Sequence, residues 1–347
     1  MSLTNLDVAE LLARAGDDAD TYRRRAYRRA AMASLGWHEE ASAVHARGES
    51  LSVLHSVGPR LAVRIAGWLE EPVEPPQPRA TRAGYSYMAR AREALARAPA
   101  LPPLRGDLQM HTTASDGKAE LVEMAAAAID LGYDYIAITD HSKGLPIAGG
   151  IDEETLARQG AQIAELNRQL QAAGSDFTVL ASMEVNLSVE GAVDMEPGAL
   201  DSLDLALGSF HSKLRVTDDQ TARYLSAIGN PHIQVIGHPQ ARRYDTRAGL
   251  RADWPKVFAA AADAGKAVEI DCHPHRQDLS IELATVAVEA GTYISLGTDA
   301  HSVAEIGSMD LGRATIVEAG IDPARMLNFM PLAQLREWIA GARRTRG

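Results

Sequence analysis

Seven short apolar runs recur through the last two-thirds of the chain, and each is closed by a residue that can bind a metal. The runs are Leu108–His111, Tyr135–Thr139, Thr178–Met183, Leu203–Ser209, Ile233–Gly237, Ala267–Ile270 and Tyr293–Gly297. Stretches of helical periodicity, such as Lys118–Leu131 and Glu154–Ala172, separate them. Several of these stretches stop at a glycine just before the next run (Gly132, Gly174, Gly265, Gly291), the usual left-handed end of a helix. Apolar strands alternating with helices imply a parallel sheet covered on both faces. Seven such units predict a closed barrel rather than an open sheet.

The closing residues are Gln109-Met-His111, Asp140-His141, Glu184, His211, His238, His273 with His275, and Asp299-Ala-His301. In a parallel barrel all these strand ends open on one face, where active sites are built. Asp116, five residues past His111, reaches the same mouth from its loop. Scattered surface histidines would not repeat at equivalent topological positions. His38, His45, His55 and His232 show no such repeat and stay unassigned. Imidazoles mixed with carboxylates suit Zn, Mn or Fe, whereas Ca and Mg prefer oxygen shells. The candidates are too many for one ion, so two to three divalent ions sharing a carboxylate are expected. Such a cluster activates water and stabilises the attacking and leaving oxygens in phosphoryl transfer.

Composition narrows the setting. A chain of 347 residues with an apolar fraction of 46% can bury one large core and a small one. No uninterrupted apolar run is long enough to predict a membrane span. The first residues show no basic region followed by an apolar core, so no secretory signal is expected. The single cysteine, Cys272, excludes an internal disulfide framework and is expected to be packed rather than reactive. The expectation is a cytoplasmic protein with no membrane partner. A net charge of −11 argues against indiscriminate nucleic-acid binding but leaves room for a local basic site.

The ordered motifs Asp107-Leu-Gln-Met-His-Thr-Thr-Ala-Ser-Asp-Gly117, Ile138-Thr-Asp-His-Ser142, Ser209-Phe-His211, Gly237-His-Pro239 and Gly297-Thr-Asp-Ala-His-Ser302 resemble those of the PHP (polymerase and histidinol phosphatase) superfamily. The resemblance covers roughly residues 104–340. It implies a distorted (β/α)7 barrel with a trinuclear metal site that hydrolyses phosphoesters. Carried over by position, one ion would take Gln109, His111, Glu184 and Asp299. A second would take His211 and His238 and share Glu184. A third would take Asp116, His141 and His301. The family's first motif usually reads His-x-His, and Gln109 departs from it, which implies a weaker first ion. The barrels attached to bacterial family X DNA polymerases resemble this variant. Asp116 and the stretch Glu269-Ile-Asp-Cys-His-Pro-His-Arg276 are similar to theirs too.

Phosphate charge needs further cations. Lys143 and Lys213 each follow a ligand by two residues, the pair Arg242-Arg243 follows His238-Pro239, and Arg276 follows the sixth run. Arg276 is the preferred phosphate grip, because a guanidinium can bind bidentately. His273 and His275 are open as leaving-group acids or as supports for the ligands.

Ahead of the barrel, residues 1–71 read as a helical domain. Residues 72–103 follow as a proline-rich linker and a bridging helix, and 104–347 as the barrel. The segment from Leu51 to Ala66 is laid out as helix, tight turn and second helix, and resembles a helix-hairpin-helix. In that motif turn amides and a helix N-terminus hold a nucleic-acid phosphate. Gly58, Arg60 and Arg64 are its candidate DNA contacts, and Ser56 stands where the first motif glycine is usual. Tyr22-Arg-Arg-Arg-Ala-Tyr-Arg-Arg-Ala30 is similar to the small N-terminal domain of family X polymerases. The space between hairpin and barrel leaves no room for a polymerase palm. The Schiff-base lysine of a deoxyribose-phosphate lyase is missing, since no lysine precedes Lys118. Three functions remain to be weighed. They are a 3′-to-5′ exonuclease or 3′-phosphatase on DNA ends, a small-molecule phosphatase of histidinol-phosphate type, and a non-enzymatic DNA-binding protein. The near-complete ligand set argues against the last.

Overall fold

The computed structural model describes residues 2–71 and 73–344; Pro72 of the expected linker and residues 345–347 lie outside the described residues. The chain divides into two compact units, one of residues 1–99 with 243–248, the other of 100–242 with 249–347.

The first unit is helical: α1 Asn5–Asp17, α2 Thr21–Ser34, α3 Ala41–Ala46, α4 Pro59–Glu70 and α5 Met88–Arg97. Local chemistry sets its ends. The Thr4 hydroxyl and Asp7 carboxylate cap each other's backbone at α1, and Asp20 caps α2. Where the sequence predicted the first helix of a hairpin, the chain makes only a 3-10 turn, Leu51–Val53. Val8, Leu11, Leu12, Trp37, Leu51 and Ile65 form the core of this unit. A buried ion cluster lies beside it. Arg82 donates to both Glu10 oxygens at 3.0 Å and to Asp245 Oδ1 at 2.7 Å. Tyr244 packs edge-on against Tyr85 at 5.2 Å. Residues 243–248, which follow the fifth strand in sequence, thus belong to this unit, with Tyr244 in its interior.

The second unit is the barrel. Its elements in chain order are β1 Gly106–Met110, α6 Leu121–Asp130, β2 Tyr135–Ile138, α7 Glu153–Ala172, β3 Thr178–Leu187, α8 Pro197–Asp201 and β4 Leu205–Phe210. Then come α9 Thr221–Gly229, β5 Val235–Ile236, α10 Trp254–Asp263, β6 Ala267–Asp271, α11 Ile281–Glu289, β7 Tyr293–Gly297, α12 Met309–Ala319 and α13 Leu332–Arg344. All seven strands pair in parallel in sequence order. The expected runs and the observed strands coincide to within a few residues. Every residue of β1, β2, β4 and β6 is buried, because helices cover one face and the interior the other. Gly132 and Gly291 do end their helices with positive φ, at 77° and 74°.

The seam between β1 and β7 closes at both ends. On the mouth side, Asp299 N–H donates to Gln109 O at 3.1 Å and His111 N–H to Ala300 O at 2.8 Å. At the other end Asn328 stitches the two strands, its Nδ2 donating to Gly106 O and Leu296 O and its Oδ1 accepting from Leu296 N–H. No helix among the described residues is long and apolar enough to cross a membrane.

Candidate metal centre

Glu184 lies at the centre of the mouth, fully buried at the side of β3 that the loops cover. Its Oε1 is 2.7 Å from His238 Nε2 and 3.3 Å from His211 Nε2. Its Oε2 is 3.0 Å from His141 Nδ1 and 3.5 Å from His111 Nε2. Burial works to raise the pKa of this carboxyl, but the imidazoles of His141, His238 and His211 overcome it and hold it well below the usual range. The carboxylate is therefore ionised and can bridge.

Two further carboxylates complete the ring. Asp299 Oδ1 lies 3.0 Å from His111 Nε2. Asp116 Oδ1 lies 3.3 Å from His301 Nε2 and 3.6 Å from His141 Nε2. The rings of His141 and His301 both stack against His111, each centroid 4.4 Å from it. Three sets of ligand atoms fall close enough to hold an ion: His111, Asp116, His141 and His301; His141, Glu184 and His211; and His111, Glu184 and Asp299. Several buried polar atoms here make no well-directed hydrogen bond: His111 Nδ1, His238 Nδ1 and, despite their closeness to one another or to the rest of the Glu184 carboxylate, His141 Nδ1, Glu184 Oε2 and His211 Nε2. Buried polar atoms are almost always satisfied, so this concentration of orphans fits a cluster of divalent cations. His238 and Asp299 have φ of 26° and 51°. Such rarely populated backbone gathers where a structure forces side chains into a site.

Supports that the strand-end pattern did not reveal hold the ligands. His211 Nδ1 pairs with Asn186 Oδ1 at 3.2 Å, which turns Nε2 toward Glu184. His301 Nδ1 pairs with the backbone oxygen of Asp299 at 2.7 Å, which turns Nε2 toward Asp116. Asp140, although it closes a strand, is no ligand. It accepts from Thr112 N–H and Oγ1, Ser115 Oγ and Gln159 Nε2, at 2.5–2.8 Å. It thereby pins the loop that carries Asp116. Asn186 lies near the end of β3 and Gln159 within α7, and nothing in the sequence pattern marks either as a support.

The expected phosphate cations diverge. Arg276 is in the centre, its Nε 2.9 Å from Asp299 Oδ2 and 3.5 Å from Asp271 Oδ2. Lys143 instead pairs with Glu153 at 2.6 Å, at the exposed start of α7. Lys213 is exposed, on a left-handed residue at φ 49°. Arg242 is buried, and Arg243 belongs to the helical unit. Burial and the neighbouring His275 push His273 down to about 3. Cys272 is buried against Met309, and burial raises its thiol, as expected of a packed cysteine.

In the helical unit Ser56 adopts φ 64°, the left-handed conformation that glycine takes most readily. Gly58 caps α4 with no side chain in the way. Arg29, His55, Ser56, Gly58 and Arg60 line one concave surface. Arg64 is engaged elsewhere, donating to Tyr27 Oη at 2.9 Å and lying over the Trp68 ring.

Residues 107–273 match the PHP domain family. A probable phosphatase of Caldicellulosiruptor saccharolyticus is 30% identical over 226 residues, which cover 62% of this chain and 87% of that one. The chain belongs to the PHP family. A second relative is the DNA polymerase/3′-5′ exonuclease PolX of Bacillus subtilis, 31% identical over 240 residues. That match takes in 69% of this chain but only 41% of PolX. Among solved structures, the histidinol phosphate phosphatase of Lactococcus lactis, a complex with zinc, L-histidinol and phosphate, is similar at a TM-score of 0.48 and 19% identity. It covers 63% of this chain and 95% of that one. The barrel is a PHP phosphoesterase domain, a metal-dependent hydrolase.

Proposed function

We propose that this PHP protein hydrolyses phosphate esters at DNA ends, as a 3′-to-5′ exonuclease or 3′-phosphatase. Two to three Zn, Mn or Fe ions would lie at the barrel mouth. The observation that carries the reading is Glu184, one buried carboxylate shared among four imidazoles with Asp299 and Asp116 beyond them. His111, Glu184 and Asp299, with Gln109, would hold the first ion. Glu184, His211 and His238 would hold the second, and Asp116, His141 and His301 the third. Ions bound there supply Lewis acidity to the phosphoryl oxygens and a water-derived nucleophile at neutral pH.

The residues divide the remaining work. Arg276, partly exposed and anchored on Asp299, can turn its free guanidinium nitrogens to a phosphate oxygen. Asn186 and the Asp299 carbonyl fix two imidazoles in one tautomer. For DNA, the left-handed Ser56 and the open N-terminus of α4 at Gly58 offer backbone N–H groups to a phosphate, with Arg29 and Arg60 beside them. Arg64 would serve through its stacked platform with Tyr27 and Trp68.

A small-molecule phosphatase is the second reading. It is favoured by the named phosphatases, which the barrel alone spans almost whole. A substrate panel of 3′-ended DNA, 3′-phosphorylated DNA, nucleotides and histidinol phosphate, run with Mn and with Zn, separates the two. DNA turnover that falls steeply with salt supports the first reading. Turnover confined to histidinol phosphate or nucleotides sinks it.

A further inference from the structure

Just inside the ligand ring, two fully buried side chains form a pair: Gln109 of β1 and Glu269 of β6. With the amide oriented to suit its neighbours, the Gln109 nitrogen donates to Glu269 Oε1 at 2.6 Å and Oε2 at 2.9 Å. Glu269 Oε2 also accepts the backbone N–H of His238 at 2.7 Å. The main chain at Gln109 is held as well, its N–H donating to Asp107 Oδ1 and its C=O accepting from Asp299 N–H, both at 3.1 Å. Gly297 of β7 leaves the space: a Cβ there would come 2.4 Å from Glu269 Oε1 and 2.5 Å from Gln109 Cβ.

An amide side chain donates at one end and accepts at the other, and both Glu269 oxygens lie within accepting distance of the one Gln109 nitrogen, with Oε2 also taking the His238 N–H. Glu269 therefore selects the nitrogen end of Gln109 and turns the oxygen end away from itself. We propose that Glu269 is a positioning residue that aims Gln109 Oε1 at the first ion, making an amide a usable donor at a strand end where the other ligands are charged or imidazole. The proposal rests on the metal reading given above. An amide nitrogen has no lone pair to give a metal, so a Gln109 free to turn over would be a ligand only part of the time. Glu269→Gln keeps the shape but can donate or accept, and so removes the selection.

The test is Mn titration of metal-stripped protein, followed by calorimetry and elemental analysis. Wild-type protein must first bind its two to three ions; if it binds none, the metal reading itself fails. In E269Q one ion is expected to weaken by about tenfold or more, as when an outer support of a ligand is lost. Q109A should lose the same ion, and the E269Q/Q109A double variant should bind no worse than Q109A alone, because Glu269 acts through Gln109. Gln109→His in the E269Q background should restore the ion, since an imidazole has no amide orientation to choose. Wild-type affinity in E269Q would overturn the proposal, as would a double variant much weaker than Q109A. So would a metal-free E269Q that unfolds well below the wild type, because Glu269 would then be a structural residue.

Discussion

The barrel mouth and the hairpin turn of the helical unit both present groups suited to phosphate, by opposite means. At the mouth, Glu184, His111 and Asp299 are almost wholly buried, His211 and His301 are held by outer partners, and the backbone at His238 and Asp299 is bent to place them. At the turn, Gly58, Arg60 and Arg29 are exposed, and the charge comes from long side chains in water. Charges in a low-dielectric setting act strongly and tolerate no displacement, whereas exposed charges act weakly and are screened by salt. Chemistry suits the first kind of site, and under the proposed DNA reading capture of the substrate would fall to the second.

The sharpest break in that comparison would come at the mouth. Asp299→Ala or His141→Ala should lower phosphoesterase turnover on the order of a thousandfold or more, measured on an aryl phosphate with Mn. A near-normal rate would contradict the metal assignment. Asn186→Ala frees His211 to rotate and should cost about 10- to 100-fold in metal affinity or rate while the fold persists.

At the turn, Arg60→Ala or Arg29→Ala should weaken DNA binding several-fold and reduce the salt slope by about one per residue. Rates on the aryl phosphate should not change. An unchanged salt slope would show that this surface holds no DNA phosphate. Point variants serve better here than deleting residues 1–80. A deletion would remove Glu10, which accepts from both Arg82 and Tyr244, and leave the buried Arg82 without that carboxylate. Within this unit Arg82→Ala should cost roughly 3–5 kcal/mol by leaving the buried Glu10 carboxylate uncompensated, read as a fall in thermal stability.

The smallest effect concerns the barrel away from its mouth. Lys266 is buried at 1% exposure, donating to Asn230 O at 2.5 Å, and burial lowers it to about 8. Its folded value lies below the unfolded one near 10.5, so the unfolded chain binds more protons between those limits. Stability should thus rise as pH climbs from about 8 toward 10.5, by no more than about 3 kcal/mol. Lys266→Met should flatten that rise; an equal slope in the variant would refute the assignment.

The sequence by itself determined the barrel and most of the mouth. Period, glycine stops and strand-end histidines are local signals, and they located β1 to β7 and the nine candidate ligands before any packing was known. Gln109 was legible as a departure but not as half of a pair, because Glu269 is 160 residues away in sequence and meets it only across the barrel. Asp140 was legible as a strand-end carboxylate but not as a support, and Asn186 and Gln159 escaped notice for the same reason: their roles are contacts, and a contact has no periodicity. Lys143 looked like a phosphate cation from its spacing, yet Glu153 lay within reach and took it. The hairpin's first helix shrank to a 3-10 turn, since three residues between Ser50 and Leu54 cannot repay helix nucleation. Only the tertiary structure decided which strand-end groups face one another, and that the segment 243–248 completes the helical unit. The physical reason is that short-range pattern fixes which face a residue takes, while its partner is chosen by the closing of the fold.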